Sequence, residues 1–344
     1  MSEPIPGPKE GTDEWLALRK YDASRARPVV FGASDAAAVC GRSQYKSPLE
    51  CYLLARRELD EPEFDKKTQD RLRRGRLFQP LIMQEYSDMH DGRRVIEPDQ
   101  MYFHADHDFM AASPDGIAYP REGRKEDCYL VEAKATTSNR YSSQPDGRSV
   151  FGQDGTDYVP DEVMLQVQQQ LAVMDMEVCD VVAFFGVFEM RVYPITRNDV
   201  LISAIVAAEQ ELYERIVDQR PPEANWSHPR TKDIINQLYG YEKGTEITLD
   251  MTSLEKWSRA QELTTQIARI TDERDALKNE LLWQMEGKEL ARFSDSNRKV
   301  IRSQVEPRYW TFQDADEVKE KVGTVKRKGY TTLREKKLTN EEDW

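Results

Sequence analysis

Long apolar runs are missing from this 344-residue chain. None approaches the ~20 residues that a membrane-spanning helix needs, so no membrane partner is expected. Cysteine and histidine are scarce, at four each, and no CxxC pair occurs. Neither a disulfide framework nor a zinc site is expected, and a reducing compartment is the simplest setting. The opening residues, MSEPIPGPKEGTDEW, lack the basic and apolar regions of a secretion signal, which predicts a cytoplasmic protein. An excess of positive charge is absent too. The net charge of −13 argues against indiscriminate coating of nucleic acid. Charge is uneven, however, because residues 298–337 hold twelve Lys/Arg against six Asp/Glu. What remains is a polar chain, 39% hydrophobic and 32% charged, long enough for one sizeable core and an appendage.

Along the chain, residues 1–12 are rich in Pro and Gly and read as a loose arm. Thr12 or Asp13 can cap a short helix carrying Trp15, Leu16 and Leu18. Val29-Val30-Phe31 is extended and gives way, through Gly32-Ala33-Ser34-Asp35, to a helix over 36–40. Such a start, with free N–H groups, a Ser hydroxyl and a nearby Arg, suits either simple capping or a phosphate seat. Pro48 opens a second helix, an acidic connector covers 59–66, and Arg71-Leu-Arg-Arg-Gly-Arg76 runs into a helical stretch over 77–89. That cluster, with Arg73, Arg74 and Arg76, is either a solvated helix face or a set of DNA phosphate contacts.

The chemistry concentrates between residues 111 and 135. Ser113-Pro-Asp115-Gly reads as a tight turn that ends one strand, and sixteen residues separate Asp115 from Glu132. In 128–135 side chains alternate, so Cys128, Leu130, Glu132 and Lys134 share one face and Tyr129, Val131, Ala133 and Ala135 the other. Charges on such a half-buried strand are costly unless something satisfies them. Two neighbouring carboxylates repel and favour a divalent cation between them, and hard oxygen ligands suit Mg²⁺ or Mn²⁺. A lysine alongside can orient water or neutralise charge on a phosphate. Asp followed by Glu-x-Lys on the next strand has the spacing of the metal-dependent PD-(D/E)xK nucleases.

Past this point, 138–160 is a long Ser/Gly/Asp/Gln-rich loop of the kind that is usually functional or mobile. Pro160 opens a helix over 161–174 with an apolar stripe of Val163, Val167, Leu171 and Met174. Its glutamines at 166, 168, 169 and 170 are either solvated or one of them reaches into the site. Residues 178–185 read as a buried strand with a hairpin partner at 190–195, and Asp199 as the cap of a helix over 200–218. Residues 1–228 therefore predict one α/β domain around a mostly central sheet.

Six ordered motifs match a known family. They are Glu14-Trp15 with a following Arg, Arg27 seven residues before Ser34, Gly75 with Pro80, Ser113-Pro-Asp-Gly116, Glu132-Ala-Lys134 and Gln166-Val-Gln168. Over 15–226 the chain resembles the phage lambda exonuclease and YqaJ-like viral recombinase family, a branch of the restriction-endonuclease-like nucleases. The resemblance implies an α/β core with a mixed sheet flanked by helices. It implies that Asp115, Glu132 and the Ala133 carbonyl hold Mg²⁺, for which Mn²⁺ substitutes. Lys134 then positions or deprotonates the attacking water, Gln166 orients it, and Arg27, Ser34 and Ser113 grip the 5′-phosphate of a DNA end. It further implies a 5′→3′ exonuclease on double-stranded DNA that releases 5′-mononucleotides, a trimeric ring, and a single-strand annealing protein as partner. One position departs from the family pattern: Gln79 stands where family members carry Glu. An amide is a poor Mg²⁺ ligand, which weakens a second metal position unless Glu85 or Glu50 compensates.

Residues 229–250 read as a connector, 251–290 as a long helix, and 291–344 as a basic extension. Leu263, Ile267, Ile270, Arg274, Leu277 and Leu281 have the spacing of a coiled-coil seam. Residues 288–305 resemble a hairpin, and 319–337 read as a solvated tail or as a contact for DNA or an annealing protein. Two rivals stay open, a weakly active or inactive DNA-end-binding or adaptor protein and an endonuclease of the same fold.

Overall fold

The computed structural model describes residues 3–63, 65–90, 93–119, 128–136, 151–186, 189–240, 243–292, 298–305, 308–310, 325–327 and 330–337. Two compact units divide it, Met1–Lys243 and Gly244–Trp344. No helix among the described residues is long and apolar enough to cross a membrane.

In the first unit the order is β1 (Ile5–Pro6), α1 (Asp13–Leu18), β2 (Phe31–Gly32), a 3₁₀ turn Ala33–Asp35, α2 (Ala36–Val39), α3 (Pro48–Ala55) and α4 (Lys66–Met89). There follow β3 (Arg94–Ile96), β4 (Tyr102–Phe103), β5 (Met110–Ala112), β6 (Gly116–Tyr119), β7 (Tyr129–Thr136), α5 (Asp161–Met174), β8 (Val178–Phe185), β9 (Glu189–Thr196), α6 (Asp199–Val217) and α7 (Thr231–Tyr239). The strands form two sheets rather than the single one expected. Five lie in the order β3-β6-β7-β8-β9 and four in the order β1-β4-β5-β2. Both are mixed, with β7 parallel to β8 and β2 parallel to β5. The division falls at Ser113-Pro114 between β5 and β6. Proline has no N–H for a strand ladder, so the chain leaves one sheet there and joins the other.

The half-buried reading of β7 is corrected. Both of its faces are covered. Leu130 packs into a cluster with Val163, Val167 and Leu171 of α5. Val131 packs with Ile82, Met83 and Tyr86 of α4. Burying such side chains contributes about 1.5–3 kcal/mol each, which locks the strand register between two helices. A third cluster joins α2, α3 and α6 and includes Ile234 of α7, so the stretch read as a connector holds a helix with a buried residue.

Local signals behaved as their chemistry predicts, with three differences. Thr12 caps α1 by accepting from the Trp15 N–H, but Asn198 rather than Asp199 caps α6, accepting from Leu201. The basic cluster at 71–76 lies inside α4, which starts eleven residues earlier than the stretch expected, at a cap made by Asp65 on the Thr68 N–H. The supposedly loose N-terminal arm is pinned along β4: Ile5 pairs with Phe103, and Gly7 and Pro8 exchange backbone hydrogen bonds with Met101.

In the second unit α8 (Met251–Gln284) is capped by Asp250 and followed by β10 (Leu290–Arg292) and β11 (Arg298–Val305), the expected antiparallel pair. Strands β12 (Arg308–Trp310) and β13 (Val325–Arg327) pair with each other, and β14 (Tyr330–Lys337) pairs with β11. Part of the expected basic tail is thus strand. Its residues 319–324, and residues 138–150 of the long loop, lie outside the described residues.

Candidate active site

The crossing from one sheet to the other creates the site. The chain enters β6 at Gly116, opposite Val131 of β7, so Asp115 stands beside Glu132. Asp115 therefore begins its strand rather than ending one, and Pro114-Asp115 is a crossover, not a tight turn. Gly116 is needed because α4 lies so close. A Cβ there would sit 2.9 Å from Val95 Cγ1 and 3.1 Å from Met83 Sδ. Asp115 Oδ2 accepts a hydrogen bond from the Ala133 N–H at 2.9 Å, which ties the two strands through the carboxylate itself.

Glu132 is 2% exposed. Its Oε1 accepts from Lys134 Nζ at 2.5 Å and from Gln166 Nε2 at 2.7 Å, and its Oε2 from Gln170 Nε2 at 2.7 Å. Lys134 Nζ also donates to Gln166 Oε1 at 2.9 Å. A buried carboxylate held by three donors meets the condition under which such burial is tolerated. Burial first, and then the charge of Glu132, push the Asp115 carboxyl well above the ordinary carboxylate range, against the opposing pull of Lys134. For Lys134 burial works against the charged form, but the Glu132 and Asp115 carboxylates outweigh it and raise its pKa. Lys134 thus stands in the site as a donor of hydrogen bonds and positive charge.

The glutamine run of α5 is not a solvated face. Successive helical residues point about 100° apart, and each side chain finds a different task. Gln166 and Gln170, one turn apart, both hold Glu132. Gln168 donates to the Thr196 carbonyl and accepts from the Asn198 N–H. Gln169 donates to the carbonyls of Phe31 and Ala111. The sequence placed Gln170 among four glutamines without assigning it a task; its spacing of four from Gln166 was the available signal.

At the neighbouring sheet, Gly32 of β2 pairs in parallel with Ala111 of β5. Ser34 and Ser113 each lie two residues further on, so both emerge at the same end of the pair. Arg27, expected to join them, has its Nη2 3.7 Å from Asp108 and lies over the Phe103 ring. The arginine following Trp15 lies against the residues on either side of Ser34, Gly32 and Asp35. Arg19 Nη2 is 3.0 Å from where a Gly32 Cβ would stand, and Nη1 is 3.6 Å from Asp35 Oδ2. Arg73 is exposed and 3.9 Å from Asp70 on its own helix, and Arg74 and Arg76 are exposed too. Glu10 of the pinned arm was also unread. Burial raises its pKa, Arg19 opposes this, Glu132 adds to it, and Arg76 opposes it more weakly. The arm therefore brings a carboxylate within electrostatic reach of the site.

Gln79 is half-buried on α4, three and four residues before Ile82 and Met83 and hence on the face that meets the sheet. The two carboxylates considered as substitutes are elsewhere. Glu50 is buried against Arg230, with Nη2 3.0 Å from Oε1, and Glu85 is exposed. Among the described residues no group of three or more acidic, histidine or cysteine side chains is arranged to hold a metal. Asp115, Glu132 and the Ala133 carbonyl nevertheless supply oxygen donors only. A half-buried and a buried carboxyl side by side are the donor set a single hard cation fits.

Fold and site together define a mixed α/β protein with an Asp, Glu-x-Lys centre on its five-stranded sheet. Residues 14–177 match the model of the YqaJ-like viral recombinase domain. The chain is 21% identical over 282 residues to the uncharacterized protein YqaJ of Bacillus subtilis (strain 168), covering 80% of this chain and 79% of that one. Among solved structures it is similar to the alkaline exonuclease LHK-Exo from Laribacter hongkongensis, at 21% identity, covering 61% of this chain and 94% of that one, with a TM-score of 0.43. The same exonuclease in complex with dAMP matches at 20% identity and the same TM-score.

Proposed function

We propose that this chain is a metal-dependent deoxyribonuclease of the restriction-endonuclease-like class, acting 5′→3′ from ends of double-stranded DNA. One arrangement carries the reading: Asp115 beside Glu132, with Lys134 and Gln166 bonded to Glu132. The match to that domain model supports a recombination setting, with 3′ overhangs passed to a single-strand annealing protein. In a trimeric ring the arginines at 73, 74 and 76 would line a channel, which would reconcile an acidic chain with DNA.

Asp115, Glu132 and the Ala133 carbonyl would hold Mg²⁺ or Mn²⁺, which would supply Lewis acidity at the scissile phosphate. The protein's own groups do the rest. Lys134 presents N–H bonds and positive charge where phosphate oxygens gain charge in an in-line displacement. Gln166 can accept from a water and donate to Glu132 at once, which orients that water for attack. Ser34, Ser113 and Arg19 or Arg27 would take the terminal 5′-phosphate, fixing the reacting bond one nucleotide away. Gln170 holds the second oxygen of Glu132. Gln170→Leu is therefore expected to weaken divalent-cation affinity by about 10–100-fold, the usual effect of losing a partner behind a ligand. Titration calorimetry with Mn²⁺ on the folded variant measures it, and unchanged affinity would remove Gln170 from the site.

Digestion of linear duplexes with 5′-phosphate or 5′-hydroxyl ends, beside a covalently closed circle, tests the reading in Mg²⁺ and in Mn²⁺. Mononucleotides from phosphorylated ends, with the circle intact, are the expected products. Cutting of the circle would instead show an endonuclease. Gln79 favours one alternative, an end-binding protein with a disabled second metal position, and that alternative yields no product with either metal.

A further inference from the structure

Glu209 in α6 has no exposed surface, and neither of its carboxyl oxygens has a hydrogen-bond partner among the described residues. Its side chain meets that of Gln169. Gln169 is equally buried, and its Oε1 is likewise without a partner. The orientation of the Gln169 amide is not arbitrary. Its nitrogen donates to the Phe31 and Ala111 carbonyls, both at 3.1 Å, and carbonyls only accept, so the NH₂ must face them and Oε1 must face away. Three buried oxygens are then left, and an ionised Glu209 would make all of them acceptors without a donor. Leaving such groups unsatisfied is among the costlier defects in a protein interior. A single proton on Glu209 supplies the missing donor for Gln169 Oε1 and leaves one neutral carbonyl oxygen in place of three unpaired acceptors.

We propose that Glu209 is a positioning residue that stands in the core as a neutral carboxylic acid, donating its O–H to Gln169 Oε1 and so clamping the strand ends that lead to Ser34 and Ser113. The clamp matters because β2 is two residues long and shares a ladder of only Phe31↔Met110 and Gly32↔Ala111 with β5. So short a pair holds its register poorly by itself. An amide that bonds Phe31 and Ala111 at once adds a third link across it, at the point where both chains turn toward the site.

The charges around Glu209 agree with a proton there. Burial first, and then the negative charge of Asp35, push its carboxyl well above the ordinary range, against a smaller opposing effect of the Gln169 amide. Asp35 itself stays ionised at about 2, since Lys46 and Arg19 outweigh its burial. Cys40, the other titratable group coupled to Glu209, is pushed up to about 11, chiefly by burial. A carboxyl whose folded pKa lies above its unfolded value stabilises fully at acid pH, and that contribution is lost as pH rises through the folded pKa. Alkaline solution should therefore loosen the clamp.

The test compares the full-length wild type, Glu209→Gln and Glu209→Leu, since Gln keeps a donor that needs no proton. The infrared difference between wild type and Glu209→Gln at neutral pH should show a protonated carboxyl carbonyl band. The Gln variant should match the wild type in Tm at acid pH and keep that Tm as the pH rises and the wild type loses stability. Its role at the phosphate seat rests on the nuclease reading. There, Glu209→Leu should lose about tenfold in its preference for 5′-phosphorylated ends, and Glu209→Gln should retain it. Absence of the band, or a Gln variant as unstable as the Leu variant at neutral pH, overturns the proposal. A wild type without hydrolytic activity would overturn the nuclease reading alone, because the band and the Tm profile decide the state of Glu209 without it.

Discussion

Asp115→Asn is expected to abolish divalent-cation-dependent hydrolysis while making the metal-free protein more stable. Both effects come from one fact, that Asp115 is a half-buried carboxyl beside a buried Glu132, and its carboxyl is pushed up by desolvation and by Glu132. Without a cation the two repel. Asn removes one charge and keeps an oxygen that can still accept from the Ala133 N–H. Thermal unfolding in chelator should rise by about 2–4 °C for each kcal/mol of repulsion relieved. Activity goes the other way, because a bound cation contributes several kcal/mol at the transition state and each 1.36 kcal/mol is tenfold, a loss of about 10³ or more. Mn²⁺ should raise the Tm of the wild type and leave the variant unmoved. A variant that still responds to Mn²⁺ would mean that the cation is held by other groups.

Arg19→Gln should produce the second large loss, in recognition of the DNA end. Its guanidinium lies against Gly32, two residues before Ser34, and its carboxylate partner Asp35 is at 3.6 Å and already held by Lys46 at 2.7 Å. That leaves donors for a phosphate. Charge-assisted hydrogen bonds are worth about 1.5–3 kcal/mol, so KM for 5′-phosphorylated ends should rise about 10–100-fold. For 5′-hydroxyl ends it should barely change. Arg27→Gln should cost stability instead, since that side chain lies over Phe103 and faces Asp108. Steady-state kinetics on the two end types separate the arginines, and a larger end effect at Arg27 would return it to the phosphate seat.

Much of this was legible in the residues. The alternation over 128–135 put Glu132 and Lys134 on one face, and the pairing of β6 with β7 keeps them there beside Asp115. Pro160 announced α5, and the apolar run at 178–185 is the strand β8, parallel to β7. Each of these follows from chain geometry within a few residues, where propensity and periodicity act. The second sheet was not legible. Its strands are two or three residues long, too short for an alternation to show, and they are held by long-range pairing.

The sequence by itself therefore determined which groups meet, because Asp115, Glu-x-Lys and Gln166 are few in kind and ordered along a chain whose strands read clearly. Only the tertiary structure decided how those groups are supported. Gln168, Gln169 and Gln170 are chemically identical and adjacent, yet they bond a loop, two strand ends and a carboxylate, because a helix turns each toward a different neighbour. Two arginines eight residues apart look alike in the sequence. Arg19 packs against Gly32 and faces Asp35, while the Phe103 ring holds Arg27 beside Asp108. Side-chain direction is set by what surrounds the chain in space, and local sequence does not encode that.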